Sequence, residues 1–147
     1  MITLATKRLH STVLALLTLV FVSSLARRAQ ADGVDALAAI HLRVLAADKN
    51  LKSRSNGHLR IGVLYNPQSS SAVRLQGEVS RALSRLAEGS SVQGMTPETR
   101  PIPYEGVSSL AQRLAAEDIA VLILVPGLQD AMGGITREAH QAHVPTM

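Results

Sequence analysis

Apolar positions along this chain follow two different rhythms. Between Val34 and Leu51 they recur at spacings of three, four and seven, with Leu37, His41, Val44, Leu45 and Leu51 on one face, which predicts a helix. Arg43, Lys49 and Lys52 fall off that face. A polar connection, "KSRSNGH", runs from Lys52 to His58 and carries the turn signal Asn56-Gly57. Leu59 to Tyr65, "LRIGVLY", is continuously apolar after Arg60 and predicts a strand covered on both faces. Asn66-Pro67 ends it, and Ser69, Ser70 or Ser71 can cap a following helix. That helix shows a stripe of Ala72, Leu75, Val79, Leu83 and Leu86, with Arg74, Glu78, Arg81, Arg85 and Glu88 mostly opposite.

Glu88 to Glu98 reads as a loop rich in Gly and Ser. Thr99 to Glu105 contains Pro101 and Pro103, each lacking a ladder donor, and reads as an edge strand. Ser109, with Gln112 three residues on, resembles a capping box for a helix over Leu110 to Glu117. Ile119 to Val125, "IAVLILV", predicts a central strand stopped by Pro126-Gly127. Leu128 to Ala142 is helical, although Gly133 and Gly134 each cost its start about 1 kcal/mol. Val144 to Met147 has the character of the first half of another strand.

Strands alternating with helices predict an α/β fold: three layers, α/β/α, around a small, mostly parallel sheet. It is expected to be flavodoxin-like or to match one lobe of a periplasmic-binding-protein type. With so short a last strand, the domain is expected to be incomplete at its C-terminus and to self-associate through the apolar surface left there.

The first 31 residues change the electrostatic picture. Lys7 and Arg8 precede an uncharged run, Val13 to Ala26, and Ala29 and Ala31 are the small residues a signal peptidase reads. This predicts a signal peptide over residues 1–31 and a periplasmic α/β domain over 32–147. Arg27 and Arg28 sit where charge is unusual, and the alternative is an N-terminal membrane anchor. Four of the 15 Lys and Arg residues and none of the 11 acids lie in this leader, so the remainder is formally neutral and carries no nucleic-acid footprint.

Cysteine is absent, which removes disulfides, thiol nucleophiles and thiolate metal sites. Tyr65 and Tyr104 are the aromatics outside the leader, too few for stacking platforms. In open α/β sheets ligands bind beyond the carboxyl ends of strands. Here those ends are Tyr65-Asn66 with the Ser run, Glu105-Gly106 with Ser108, and Pro126-Gly127. Asn66, Ser70, Ser71 and Gly127 are therefore the candidate ligand-binding residues, with simple helix capping as the competing role for the serines. No P-loop or dinucleotide fingerprint is present, and no cofactor is expected. Glu138, His140 and His143 are close in sequence, but the two histidines are three apart rather than four, and no metal site is expected. His41, on the apolar face of the first helix, reads as a core histidine. No set of acid, base and nucleophile assembles, so the chain is not expected to be an enzyme.

"LRVLAADKNLKSR", Leu42 to Arg54, leads into "HLRIGVLYNP", His58 to Pro67, and "DIAVLILVPGL" follows at Asp118 to Leu128. This arrangement resembles the YfiR/HmsC-like family of secreted periplasmic proteins. The resemblance implies a periplasmic α/β regulator that restrains a membrane-bound diguanylate cyclase through contact with its periplasmic segment. The chain lacks the cysteines and the Trp-Pro that follows the first helix in that family, and no functional residue is carried over. The alternative is a small-ligand-binding domain resembling one lobe of an ABC-transporter substrate-binding protein.

Overall fold

The computed structural model describes residues 33–147, so the expected leader lies outside the described residues. In chain order the elements are α1 (residues 33–47), α2 (Leu51–Arg54), β1 (Leu59–Tyr65), α3 (Ser70–Ala87), β2 (Pro97–Pro103), α4 (Val107–Ala116), β3 (Val121–Leu124), a 3₁₀ turn (Gln129–Ala131) and α5 (Met132–Gln141). The three strands are parallel in the order β2-β1-β3. Terminal residues extend the sheet beyond β3, where Thr146 bridges Leu122 in parallel and Met147 N–H donates to Leu122 O at 2.8 Å.

β1 is central because both its faces are apolar. Leu59, Ile61 and Val63 pack with Ala38, Leu45, Leu51, Ala72, Val79 and Leu83, beneath α1, α2 and α3. Leu64 packs on the other face with Ile102, Leu110, Leu114, Leu122, Ile135 and Ala139, beneath α4 and α5. Helices therefore cover both faces, and the chain is the expected three-layer α/β/α domain. Gly62 lets this second layer close. A Cβ there would lie 2.7 Å from Ile102 Cδ1 and 3.0 Å from Leu122 Cδ1.

β2 is an edge strand, as its prolines predict. Tyr104 N–H donates to Tyr65 O at 2.9 Å, so the even-numbered amides of this segment face β1. Pro97, Pro101 and Pro103 are odd-numbered, and their missing donors fall on the outer edge. The β1–β2 ladder is intact from Leu59↔Pro97 to Tyr65↔Pro103, while the free edge is a poor template for further pairing.

Several local expectations are corrected. The first helix stops at residue 47 instead of running to Leu51. Asp48 Oδ1 accepts from Asn50 N at 2.9 Å, a local turn that competes with helix continuation, and the chain restarts at Leu51 as α2, which runs into the stretch expected to be a polar connection. Its buried line also differs. Leu45 and Leu51 are buried, but Leu37 and Val44 are about half exposed, and Ala38 takes the inward position. Ser109 is not an N-cap. α4 begins at Val107 after Gly106, and the Ser109 hydroxyl donates back to Gly106 O at 3.4 Å. The loop after α3 is more ordered than its composition suggests. Val92 and Met95 are buried, and Gln93 Nε2 donates to Ala46 O (3.1 Å) and Asp48 O (2.7 Å), closing the C-terminus of α1.

Candidate functional site

The strand order reverses between β1 and β3. From β1 the chain passes through α3 on one face to β2, then through α4 on the other face to β3. Turns leaving β1 and β3 thus depart to opposite faces, which opens a crevice at their carboxyl ends, the switch point of a doubly wound sheet. The two turns adjoin there. Gly127, at φ +109°, holds a conformation open to glycine, and a Cβ on it would lie 4.0 Å from Ala72 Cβ in the first turn of α3.

Asn66, Ser70, Ser71 and Gly127 all belong to this rim. Their polar groups are mostly committed locally. Asn66 Oδ1 accepts from Gln68 N at 2.9 Å. Ser69 is the N-cap of α3, its Oγ accepting from Ala72 N at 3.3 Å, and it shares a 2.9 Å contact with Ser71 Oγ. Capping therefore falls to Ser69 alone among the three serines, and Ser70 and Ser71 are exposed. Val73 and Met132, in the first turns of α3 and α5, are 43% and 42% exposed. The third turn contributes Glu105, whose carboxylate is held by Arg113 at 3.3 Å. Arg74 points away, 63% exposed and 4.0 Å from Glu78. The rim is thus a polar centre with apolar flanks and no uncommitted cation in the turn.

A concavity at the opposite, amino-terminal rim had no signal in the sequence pattern. Its volume is about 310 Å³, and its walls include Arg54, Asn56, Asp118 and His143. The last three hold positive φ of 45°, 52° and 57°. Helix capping accounts for Asp118 and His143, while Asn56 lies in the Asn56-Gly57 turn after α2. In α4, Ile119 N–H donates to Leu114 O and Asp118 N–H to Ala115 O; in α5, Val144 donates to Ala139 O and His143 to His140 O. Both are Schellman endings with Asp118 and His143 where glycine is commonest. Arg60 ties the rim together, reaching Glu98 Oε2 at 3.3 Å, Asp118 Oδ2 at 3.5 Å and Glu117 O at 3.3 Å. Arg54 joins Asp48 and shares a second small hollow with His140 and His143. A fixed cation beside the two imidazoles works against a metal there, and no group of three metal-ligating side chains converges among the described residues.

Fold and rim define an open, parallel, three-layer α/β domain with a doubly wound switch point. No protein family matches the sequence, and no curated protein matches it. A solved structure that is similar is the ABC domain in complex with L-Trp from Streptococcus pneumonia, at 13% identity and a TM-score of 0.42, covering 67% of this chain. The chain spans about a third (32%) of that structure's length, a likeness too distant to carry an argument.

Proposed function

We propose that this chain is a non-enzymatic regulatory domain that acts by protein contact, exported to the periplasm and directed at a membrane-bound signalling partner such as a diguanylate cyclase. The observation that carries the reading is the make-up of the carboxyl rim. In α/β enzymes this rim holds the reacting groups, whereas here Asn66 and Ser69 are spent on their own turns and Glu105 on Arg113. What remains outward is Ser70 and Ser71, with the exposed apolar side chains Val73 on α3 and Met132 on α5 flanking them on either face of the sheet, groups suited to contact. The YfiR/HmsC resemblance supplies the class of partner.

A second reading, small-ligand binding, is favoured by the switch point itself, where Gly127 brings bare backbone against the start of α3. Titration with the periplasmic segment of a membrane diguanylate cyclase, and separately with a panel of small metabolites, distinguishes the two. Protein contact predicts that Val73→Ser with Met132→Ser abolishes partner binding while the fold persists. Saturable metabolite binding, lost on Ser70→Ala with Ser71→Ala and accompanied by no protein partner, would overturn the first reading in favour of the second.

A further inference from the structure

Helix α1 has no solvated polar face. Its sequence over residues 33–47 is GVDALAAIHLRVLAA. Ala38 and Leu45 are buried against the domain, with Val34 and Leu42 partly buried beside them. On the outward side Leu37, Ile40 and Val44 are 49%, 54% and 51% exposed, at spacings of three and four, with exposed Ala36 and Ala47 alongside. Arg43 is the one charged residue among the exposed positions of the helix; Asp35 is half-buried and held by Arg85 at 2.5 Å. α3, on the same side of the sheet, is ordinary by contrast, turning Arg74, Arg81 and Arg85 to water. A helix that is apolar all round is normally covered all round.

Charge decides what covers it. Arg43, and just beyond the helix Lys49 and Lys52, are exposed, and among the described residues none has a carboxylate within ion-pair distance. A second copy packed with the two helices parallel would set this cationic patch against itself, and one packed antiparallel about Ile40 would press Arg43 onto the apolar Leu37 edge with no carboxylate to meet it. Three half-exposed aliphatic side chains on a helix about 22 Å long also supply only a fraction of the roughly 800 Å² per partner of a stable interface. An apolar helical arc bordered by basic side chains instead fits the headgroup boundary of an anionic lipid surface, into which such a helix sinks about 5–10 Å and which needs no matching groove.

We propose that the Leu37–Ile40–Val44 face of α1, with Arg43, Lys49 and Lys52, docks on an anionic phospholipid surface. Each of the three basic residues contributes about fivefold to binding at low salt, a sum that falls as salt screens it.

The chain has no cysteine, so single labels are unambiguous. An environment-sensitive fluorophore on Val44→Cys of the full chain reports α1 locally, whatever residues 1–32 do. A label on Arg137→Cys, on α5 across the sheet, is the control. With vesicles of phosphatidylcholine mixed with phosphatidylglycerol, the Val44 label should blue-shift and be quenched by lipid-borne quenchers, and the Arg137 label should not. Lys49→Gln with Lys52→Gln should weaken the response roughly 25-fold at low salt. The proposal is overturned if the Val44 label stays in water on these vesicles, if it responds equally on pure phosphatidylcholine, or if it becomes buried without lipid in a concentration-dependent way, which would assign the face to a second copy. A Leu37→Cys label repeats the test should Val44→Cys disturb the helix.

Discussion

Gly133 and Gly134 are adjacent in sequence and opposite in consequence. Both sit in the first turn of α5, and helix propensity alone gives each alanine replacement a gain of up to about 1 kcal/mol. At Gly133 nothing lies within 4 Å of a new Cβ, so Gly133→Ala should realise that gain. At Gly134 the Cβ would lie 2.6 Å from Val107 Cγ2 and 3.2 Å from Val107 Cγ1. Carbon pairs rest at about 3.5–4.0 Å, so the nearer methyl is roughly 1 Å inside contact. Rotating Val107 about χ1 exchanges one close methyl for the other, and a β-branched side chain in a helix has little χ1 freedom. Relief requires α4 and α5 to move apart, and such overpacking costs about 1–3 kcal/mol. Net of propensity, Gly134→Ala should be destabilised by about 0–2 kcal/mol, and the two variants should differ by about 1–3 kcal/mol. Urea unfolding followed by circular dichroism measures this at constant slope. Val107→Ala in the Gly134→Ala background should recover at least about 1 kcal/mol as a coupling energy. Equal stability of the two alanine variants, or a cycle with no coupling, would refute the close α4–α5 approach on which the magnitude rests.

Gln93→Ala should cost about 1 kcal/mol by removing the side-chain donor to Ala46 O and Asp48 O, the latter keeping its bond from Leu51 N–H, and hydrogen exchange should rise first at the C-terminal end of α1. Ser69→Ala should cost about 1 kcal/mol, whereas Ser70→Ala should change stability by less than about 0.5 kcal/mol, because the cap is Ser69. Burial lowers the His41 imidazole pKa in the folded chain, so the unfolded chain takes up the proton first. Stability should therefore fall as pH drops below about 6.5 and level off once the folded-state pKa is passed, and His41→Gln should flatten urea midpoints across that window. The Asp48 carboxyl is held below its ordinary value by Arg54 and by the Asn50 amide, so its contribution should persist through that window and fade only below about pH 4.

The layers and the strand sequence were legible because β1 and β3 are apolar on both faces and α3 has a clean 3.6-residue stripe, signals that arise from burial itself. The prolines of β2 marked the edge because a missing N–H has one tolerable direction, outward. Failures cluster where a side chain bonds to nearby backbone or where a glycine answers to a distant neighbour. Asp48 ends α1 through a hydrogen bond two residues on, which periodicity cannot register. Gly134 looked like a weakness in α5 and proves to be the point where Val107 of α4 approaches. Ser69, Ser70 and Ser71 were interchangeable as cap candidates, because the cap is fixed by which residue holds extended φ/ψ, at Ser69 −101° and 111°.

The reading of α1 failed for a different reason, and that failure bears on function. Leu37, Val44 and Leu45 lie on one continuous arc of the helix, so an apolar pattern placed all three inward together. Within that arc the domain covers the Leu45 edge, using small Ala38 to seat the helix closely, and leaves the Leu37–Val44 edge open. Periodicity locates an apolar arc but not how much of it the chain's own sheet can cover; that depends on the distance between the helix axis and its neighbours. A helix whose apolar arc is wider than its seat is therefore read from sequence as better buried than it is. The excess, Leu37, Ile40 and Val44, becomes visible only once the seat is known, and it is this excess that makes α1 a docking surface as well as a structural layer.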